Sequence, residues 1–272
     1  MENKGNIYFV PTPIGNLGDI TLRALDVLKE ADVIFSEDTR STLKLLTHYG
    51  IKNQVKSFHK DNEKKSVDTV LKLFYEGKNI AVVSEAGMPC ISDPGSMLVR
   101  RLCDEGIEFQ VLPGATASVV ALIKSGFPAD NFYFKGFLSH KKGEKSKEIN
   151  KLKDINSTII LYESPHRIIE TLGLLVGKFE KICVVRELTK IFEEKIYISS
   201  LKDIEKITLK GEFVIVIDNN FDKNESEKLP EVQDLIKKLK NTNFNSKQIM
   251  EILKVLGFKR NEVYPLLSKS NE

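Results

Sequence analysis

The residues best suited to chemistry lie in two turns, each of which follows an apolar segment and is rich in proline and glycine. Residues 7–21 run Ile-Tyr-Phe-Val-Pro-Thr-Pro-Ile-Gly-Asn-Leu-Gly-Asp-Ile-Thr, and residues 84–95 run Ser-Glu-Ala-Gly-Met-Pro-Cys-Ile-Ser-Asp-Pro-Gly. Each turn is predicted to follow a strand and to lead into a helix. Because open α/β sheets bind ligands beyond the carboxyl ends of their strands, this pattern predicts an enzyme with a small-molecule site.

Backbone geometry explains why these residue types suit such a site. Pro11 and Pro13 fix the backbone angle φ and leave their carbonyl oxygens free to accept hydrogen bonds, while Gly15, Gly87 and Gly114 let a ligand approach the backbone closely. Proline and glycine also simply mark strand ends. The sequence has no Gly-x-Gly-x-x-Gly or P-loop motif, which argues against NAD or ATP in a phosphate-binding loop and leaves a neutral or cationic ligand open.

The elements that must position these turns alternate between strand and helix patterns over the first 113 residues. This alternation favours a mostly parallel sheet covered on both faces. Helices are predicted at 22–29, with Thr21 as the N-cap, at 66–75, and from Pro94 onward. Strands are predicted near residues 6–11, 32–36, 54–58, 79–84 and 107–112.

A second set of elements follows, with helices after Pro165 and after Ser200. Its last strands are adjacent along the chain, which favours a mixed sheet over a wholly parallel one. A cleft between two such lobes is the natural place for a ligand. The strands of this set are predicted at residues 132–137, 158–162, 182–187, 193–199 and 212–218.

The end of the chain has a different pattern. Residues 219–228 are predicted to be a solvated linker, and three apolar stripes at helical spacing follow, with Ser246 capping the second helix and Gly257 ending it. The predicted fold class is therefore α/β, with a small helical module. We expect α/β domains at 1–114 and 115–220 and a helix-turn-helix-like module at 229–272.

Composition limits the functional class only weakly. The chain has 272 residues and a net charge of +3, which is too mild to indicate a nucleic-acid partner by itself. Three widely spaced cysteines predict reduced thiols of a cytosolic protein, not disulfides or a zinc site, and no metal-ligand cluster is visible. No segment approaches the length of a membrane span and no leader is visible, so we expect a soluble, cytoplasmic protein.

Eight motifs in chain order resemble one family. They are Pro-Thr-Pro-Ile-Gly-Asn-Leu (11–17), Glu-Asp-Thr-Arg (37–40), His-Lys-Asp-Asn-Glu (59–63), the 84–95 turn, Leu-Pro-Gly (112–114), Gly-Phe-Leu (136–138), Tyr-Glu-Ser-Pro-His-Arg (162–167) and Arg-Glu-Leu-Thr-Lys (186–190). Together they resemble the bacterial small-subunit (16S) ribosomal RNA cytidine-2′-O-methyltransferases of the tetrapyrrole methylase superfamily. The match covers about residues 7–217, and the helical tail is similar to that family's C-terminal module.

The resemblance implies a two-domain class III methyltransferase fold, S-adenosylmethionine bound between the domains, and a homodimer. The implied reaction is methyl transfer to the ribose 2′-oxygen of a decoding-region cytidine, in free ribosomal RNA or in the assembled 30S subunit. The implied cofactor contacts are Pro11, Thr12, Pro13, Gly15, Ser84, Glu85, Gly87, Met88, Pro113, Gly114, Ala115, Thr116 and Tyr162.

A ribose hydroxyl is a poor nucleophile at neutral pH and benefits from a base within hydrogen-bond reach. Asp38, Glu163 and His166 are the predicted catalytic residues, and Glu63 is a further candidate base. All four are expected at strand ends or turns. Each carboxylate could instead cap a helix or pair with an arginine.

Phosphate recognition is predicted from arginines and from a local excess of lysine. The planar guanidinium groups of Arg40 and Arg167 match phosphate oxygens. Residues 135–153 hold seven lysines and two glutamates, which predicts an RNA-binding loop and helix that includes Lys141 and Lys142. The tail from residue 229 holds eight basic and five acidic residues, which is also typical of an ordinary solvated surface.

The chain departs from the family pattern at two places. Glu85 and Met88 stand where the family has Asp and Thr, and Ser139-His140 replaces Pro-Arg. One alternative function is therefore a non-catalytic RNA-binding or ribosome-assembly protein. The other is a small-molecule methylase of the tetrapyrrole type, against which the lysine-rich segment and the helical tail argue.

Overall fold

The structure is a computed structural model that describes residues 4–220, 232–242, 244–256, 258, 263–264 and 266–267. Contacts divide the chain into two compact units, residues 1–220 and 221–272. The first unit contains two five-stranded sheets. The predicted boundary at 114/115 lies within this unit and stays a prediction.

The first sheet is parallel throughout, as its alternating pattern predicts. Its strands are ordered β3-β2-β4-β1-β5, and β2 and β4 are buried along their whole length because helices cover both faces. Two apolar cores lie against the sheet, one containing Phe9, Phe35 and Val82 and the other containing Val10 and Ile34. The strands are β1 (Ile7–Val10), β2 (Val33–Ser36), β3 (Val55–Ser57), β4 (Ile80–Val83) and β5 (Gln110–Val111).

The helices of this part largely follow the predicted positions. Thr21 caps α1 by accepting a hydrogen bond from the Ala24 N–H at 3.1 Å. The predicted start at Pro94 is wrong by two residues, because Gly95 adopts φ of +128° as the N-cap and the helix begins at Ser96. The helices are α1 (Leu22–Glu30), α2 (Thr39–His48), α3 (Glu63–Tyr75) and α4 (Ser96–Asp104), with a 3-10 turn at Leu17–Asp19.

The second sheet is mixed, which confirms the prediction. Its order is β6-β7-β10-β8-β9, with β6 parallel to β7 and all other pairs antiparallel. A bulge between Phe134 and Gly136 interrupts β6, and Gly136 takes φ of +72° there. The strands are β6 (Phe132–Phe137), β7 (Ser157–Glu163), β8 (Lys181–Arg186), β9 (Glu194–Ile198) and β10 (Phe213–Asn219).

Four helices accompany the second sheet: α5 (Ala117–Ser125), α6 (Lys142–Leu152), α7 (Ile168–Leu175) and α8 (Leu201–Ile204). The last two confirm the helices predicted after Pro165 and Ser200. Ser200 caps α8 in a capping box with Asp203.

The second unit contains α9 (Val232–Lys240) and α10 (Ser246–Val255). Asn245, not Ser246, caps α10, accepting hydrogen bonds from the Lys247 and Gln248 N–H groups while Gln248 bonds back to the Asn245 N–H. The predicted helix end at Gly257 and most of the predicted linker lie outside the described residues. A small core joins the predicted stripes through Ile236, Ile249, Leu253, Val263 and Leu267. No described helix is both long and apolar enough to cross a bilayer.

Candidate active site

A cavity of about 360 Å³ opens where strand ends of both sheets meet. This volume is in the range of small-molecule sites in proteins. Its wall is formed by Ile14, the 85–88 and 91–93 segments, Thr116, Ala117, Phe137, residues 162–165, Leu188 and residues 211–214. The cavity therefore lies where the proline and glycine turns predicted it.

Hydrogen bonds fasten the two predicted turns to each other. Thr12 and Gly87 exchange two backbone hydrogen bonds of 3.0 Å, and the Ser84 hydroxyl donates to the Gly87 carbonyl at 2.7 Å. Gly87 has φ of +83°, and a Cβ there would lie only 3.0 Å from the Ile14 Cγ2 and 3.2 Å from the Ala115 oxygen. The positive φ and this close approach both favour glycine at position 87, where the two turns pack against each other.

The predicted cofactor residues divide into two groups. Glu85, Gly87, Met88, Thr116 and Tyr162 line the cavity. The others do not line it, and two of them pack against each other, since a Cβ on Gly114 would lie 2.6 Å from the Pro11 ring. This second group is Pro11, Thr12, Pro13, Gly15, Ser84, Pro113, Gly114 and Ala115.

Glu163 lines the cavity, but protein donors already engage both of its carboxylate oxygens. Oε2 accepts from the Thr171 hydroxyl at 2.6 Å, and Oε1 accepts from the Ser164 N–H at 2.9 Å and lies 3.4 Å from the Arg167 Nε. The residue is 3% exposed. This predicted base is thus held as part of the wall.

Arg167 is used within the protein. Its Nη2 donates to the carbonyls of Leu138 and Ser139 at 2.7 and 3.0 Å, and its Nη1 lies 3.3 Å from the Nδ1 of His140. The guanidinium therefore fastens the turn after β6 to the Glu163 carboxylate, and its predicted contact with RNA phosphate stays a prediction.

The other predicted catalytic residues do not line the cavity. Asp38 caps α2, and the Arg40 N–H, which donates to it at 2.7 Å, lowers the pKa of its carboxyl together with the Ser41 N–H. His166 is exposed and does not line the cavity. Glu63 caps α4, accepting from the Gly95 and Met97 N–H groups at 2.9 and 3.2 Å.

The charge of the wall is one-sided. Four carboxylates line the cavity, those of Glu85, Asp93, Glu163 and Glu212, and none of the described lining residues is Lys, Arg or His. A cationic or neutral ligand suits such a wall better than a phosphate does. The described residues contain no group of three or more side chains able to hold a metal ion.

Two of the lining carboxylates, Asp93 and Glu212, are not among the site residues predicted from the sequence, and Asp93 is the more buried of the two. The pKa of Asp93 is raised to about 7, first by burial and then by the negative charges of Glu37 and Glu85, while Lys60 partly opposes them. The pKa of Glu37 is raised as well, by burial and by Glu85. The Asp-Pro-Gly motif at 93–95 marks Asp93 in the sequence. Its raised pKa could not be predicted, because it depends on Glu37, Glu85 and Lys60, which come from separate segments of the chain.

The lysine-rich segment forms α6 and divides by burial. Lys145 is 1% exposed, and its Nζ donates to Glu170 at 3.0 Å and to the Thr171 hydroxyl at 3.4 Å, so one of the seven lysines counted in this segment is buried. Lys135 pairs with Glu148 at 3.3 Å and Lys141 with Glu144 at 3.2 Å. Within the described chain, the exposed lysines without an ion pair on this segment are Lys142, Lys147, Lys151 and Lys153. Arg40 is exposed on α2.

Comparisons with known proteins agree on the family and the fold. The model of the Tetrapyrrole (Corrin/Porphyrin) Methylases matches residues 6–205. A relative from Halalkalibacterium halodurans named ribosomal RNA small subunit methyltransferase I is 43% identical over 234 residues, which cover 84% of this chain and 81% of the relative.

Two solved structures share the fold at low sequence identity. A diphthine synthase has a TM-score of 0.65 and 16% identity, over 84% of this chain and 95% of its own. A uroporphyrin-III C-methyltransferase from Thermus thermophilus, complexed with S-adenosylhomocysteine, has a TM-score of 0.55 and 20% identity, over 79% and 98% of the two chains.

Proposed function

We propose that this chain, which belongs to the tetrapyrrole methylase family and to its ribosomal RNA small subunit methyltransferase I group, transfers a methyl group from S-adenosylmethionine to small-subunit ribosomal RNA. The observation that carries the proposal is the acidic cavity at the strand ends, in a chain 43% identical to a relative of that name.

The cavity fits S-adenosylmethionine in charge as well as in size. The cosubstrate carries a methyl group on a positively charged sulfur, and four carboxylates without a lining cation favour such a ligand. The apolar side chains of Ile14, Met88 and Leu188 also line the cavity and could contact the adenine ring of the cosubstrate. Glu85, Gly87, Met88, Thr116 and Tyr162 would hold the cosubstrate.

Hydrogen bonds of the backbone and of side chains hold the cavity wall in place, and methyl transfer needs a wall that positions its reactants. Methyl transfer requires the methyl carbon in line between sulfur and attacking oxygen, so much of the rate enhancement comes from positioning. The Thr12–Gly87 backbone pair and the fully bonded Glu163 hold opposite parts of the wall. Tyr162 is fixed as well, because its hydroxyl accepts from the Ser118 N–H at 3.1 Å.

An aromatic ring and a basic helix supply features expected of an RNA site. Phe137 lines the cavity and is 49% exposed, with its ring centroid 5.7 Å from that of Tyr162. Aromatic faces stack on unpaired bases. Phe137 directly precedes the turn that leads to Lys141, Lys142 and the exposed lysines of α6, so a nucleotide stacked on it would have its neighbouring phosphates near those lysines. The finer assignment, a cytidine 2′-oxygen in the decoding region, rests on the motif resemblance.

The two alternatives predict different behaviour. A tetrapyrrole-type methylase would act without RNA. Its support is the description of the family model and solved structures under 25% identical, whereas the relative at 43% identity is named as a ribosomal RNA methyltransferase. A non-catalytic RNA-binding protein would fail to bind the cosubstrate, since Glu85 and Met88 would have removed that function.

We also propose a homodimer in the cytoplasm, where its ribosomal substrate would be. Five exposed apolar side chains lie on adjoining segments of α5, the 187–193 loop and β9, where Lys124 pairs with Glu193 and the Tyr197 hydroxyl donates to the Ser125 carbonyl at 2.7 Å. Exposed apolar patches of this kind mark protein interfaces. The side chains are Val119, Ile123, Ile191, Phe192 and Tyr197. The double change Ile123→Asp and Ile191→Asp should halve the mass measured by sedimentation, and an unchanged mass would exclude this face.

Titration calorimetry with S-adenosylmethionine tests the proposed function first. Stoichiometric binding supports both methylase functions, and transfer of a tritiated methyl group to small ribosomal subunits, but not to tetrapyrroles, then supports the RNA methyltransferase. No heat of binding in a folded protein would reject catalysis and leave the non-catalytic RNA-binding function.

A further inference from the structure

We propose that Asp93 is the general base that takes the proton of the ribose hydroxyl during methyl transfer, an inference that rests on the proposed function. The residue lines the cavity on the loop between β4 and α4. It was absent from the predicted catalytic set of Asp38, Glu163 and His166.

The contacts and the burial of the lining carboxylates single it out. Glu163 is buried and bonded at both oxygens, and Glu212 is exposed and lies 3.0 Å from the Lys190 Nζ. The Glu85 carboxylate on the same loop has no hydrogen bond or ion pair among the described residues, but Glu85 is exposed, so its burial and not its contacts separates it from Asp93. Asp93 is half-buried and, within the described part of the chain, its carboxylate accepts no hydrogen bond and forms no ion pair. Its lone pairs are free to accept a proton from a ligand.

Packing places Asp93 beside the surface proposed for the nucleotide. A Cβ on Gly136 would lie 3.2 Å from the Ser92 hydroxyl, so the neighbours of Asp93 and Phe137 nearly touch. The backbone is anchored just after Asp93, because Pro94 has a fixed φ and the Gly95 N–H donates to Glu63 at 2.9 Å. The carboxylate is therefore held near the ring on which a base would stack.

The charged groups around Asp93 suit proton acceptance near neutral pH. Glu37 at the end of β2 and Glu85 after β4 raise its pKa beyond the effect of burial, and Lys60 before α3 partly offsets them. The charges of Lys60 and His59 act on Glu37 and lower its pKa. The charges of Asp93 and Glu63 act on the neighbouring Cys90 and raise its pKa. A base works best when its pKa lies near the working pH, and a pKa of about 7 meets that condition.

The proton transfer completes the chemistry without any further reactant. The hydroxyl proton passes to the Asp93 carboxylate while the ribose oxygen forms its bond to the methyl carbon. The bond from that carbon to sulfur breaks, and its electron pair stays on sulfur. Asp93 then releases the proton to water.

The test compares Asp93→Asn with Asp61→Asn, the same chemical change at a side chain that is 98% exposed. Methyl transfer to small ribosomal subunits is measured by single turnover between pH 5.5 and 9. In the unaltered protein the rate should fall tenfold per pH unit below about pH 7, and Asp61→Asn should match it. Asp93→Asn should lower the rate by about 10²- to 10⁴-fold and abolish this dependence. Its calorimetric affinity for S-adenosylmethionine should change far less than the rate, because three lining carboxylates remain.

Two further measurements keep the inference separable from folding and from the proposed function. Glu37→Gln retains Asp93 but removes a negative charge, so the midpoint of the acidic limb should shift to lower pH. Carbon-13 NMR of labelled aspartates should show one carboxyl, lost in Asp93→Asn, that titrates near pH 7 without any ligand. Full methyl transfer by a folded Asp93→Asn, or a loss of cosubstrate affinity in it as large as the loss of rate, would overturn the role of Asp93. An unaltered protein that does not methylate RNA would instead overturn the proposed function.

Discussion

Asp93 and Glu163 lie on the wall of the same cavity, yet their carboxylates have opposite surroundings. Donors from Thr171 and Ser164 bond to the two carboxylate oxygens of Glu163, and the Arg167 Nε lies 3.4 Å from one of them. Asp93 has no such donors, and burial with two neighbouring carboxylates raises its pKa to about 7. A group left in this condition costs folding free energy, and such costs are typical of functional sites.

This cost gives a prediction about the free energy of unfolding. In the unfolded chain the Asp93 carboxyl has an ordinary pKa near 3.8, so between about pH 4 and 7 the unfolded state loses its proton first and Asp93 reduces stability as the pH rises. Asp93→Asn removes this loss. The free energy of unfolding of the variant minus that of the unaltered protein should therefore be larger at pH 8 than at pH 4 by roughly 2 kcal/mol, a figure discounted for partial exposure. Urea unfolding of both proteins at pH 4 and pH 8 measures this difference. The same stability difference at the two pH values would contradict the raised pKa.

Helix α6 shows how one element serves two purposes. Lys145 faces the interior and bonds to Glu170 and Thr171, and Thr171 in turn bonds to Glu163. Lys147, two positions later on the same helix, is exposed. The buried lysine thus belongs to the support of the cavity wall, and the exposed one is available for phosphate.

The two lysines form a matched pair for substitution. Lys145→Ala should lower the free energy of unfolding by about 2 kcal/mol, because it removes a buried stem and two hydrogen bonds. Lys147→Ala should leave stability unchanged but weaken binding to a small-subunit RNA fragment. The slope of log affinity against log salt should decrease by roughly 0.7 to 0.9 for a lost phosphate contact. Thermal unfolding measures the change in stability, and fluorescence anisotropy at several salt concentrations measures the change in RNA binding. If both variants lost the same stability and the same affinity, the two lysines would not have separate roles.

Elements were predictable from sequence where the pattern is local. The Thr21 cap, the parallel first sheet and the mixed second sheet all follow from short stretches. Helix α5 was not predicted, because Ala-Ser-Val-Val-Ala-Leu-Ile is apolar at nearly every position and its period does not separate helix from buried strand. The burial of Lys145 depends on Glu170, and the proton affinity of Asp93 depends on Glu37, so neither could be derived from spacing.

For the whole molecule, the division into two compact units predicts separable functions. Both sheets and all residues of the cavity lie within residues 1–220, while the basic tail lies beyond them. Deleting residues 229–272 should therefore spare calorimetric binding of S-adenosylmethionine and weaken methylation of small subunits. Unchanged methylation would show that the tail does not serve the substrate, and lost cosubstrate binding would show that the units are not separable.

The position of β1 within the first sheet has a consequence for the timing of folding. Its two neighbours, β4 and β5, lie about 70 and about 100 residues further along the chain. During synthesis the apolar segment Ile7–Val10 leaves the ribosome long before either partner exists, and pairings so distant in sequence form slowly. The nascent chain must carry an unpaired hydrophobic strand for most of the time needed to make the first sheet, which makes this segment a natural client for chaperones that hold growing chains.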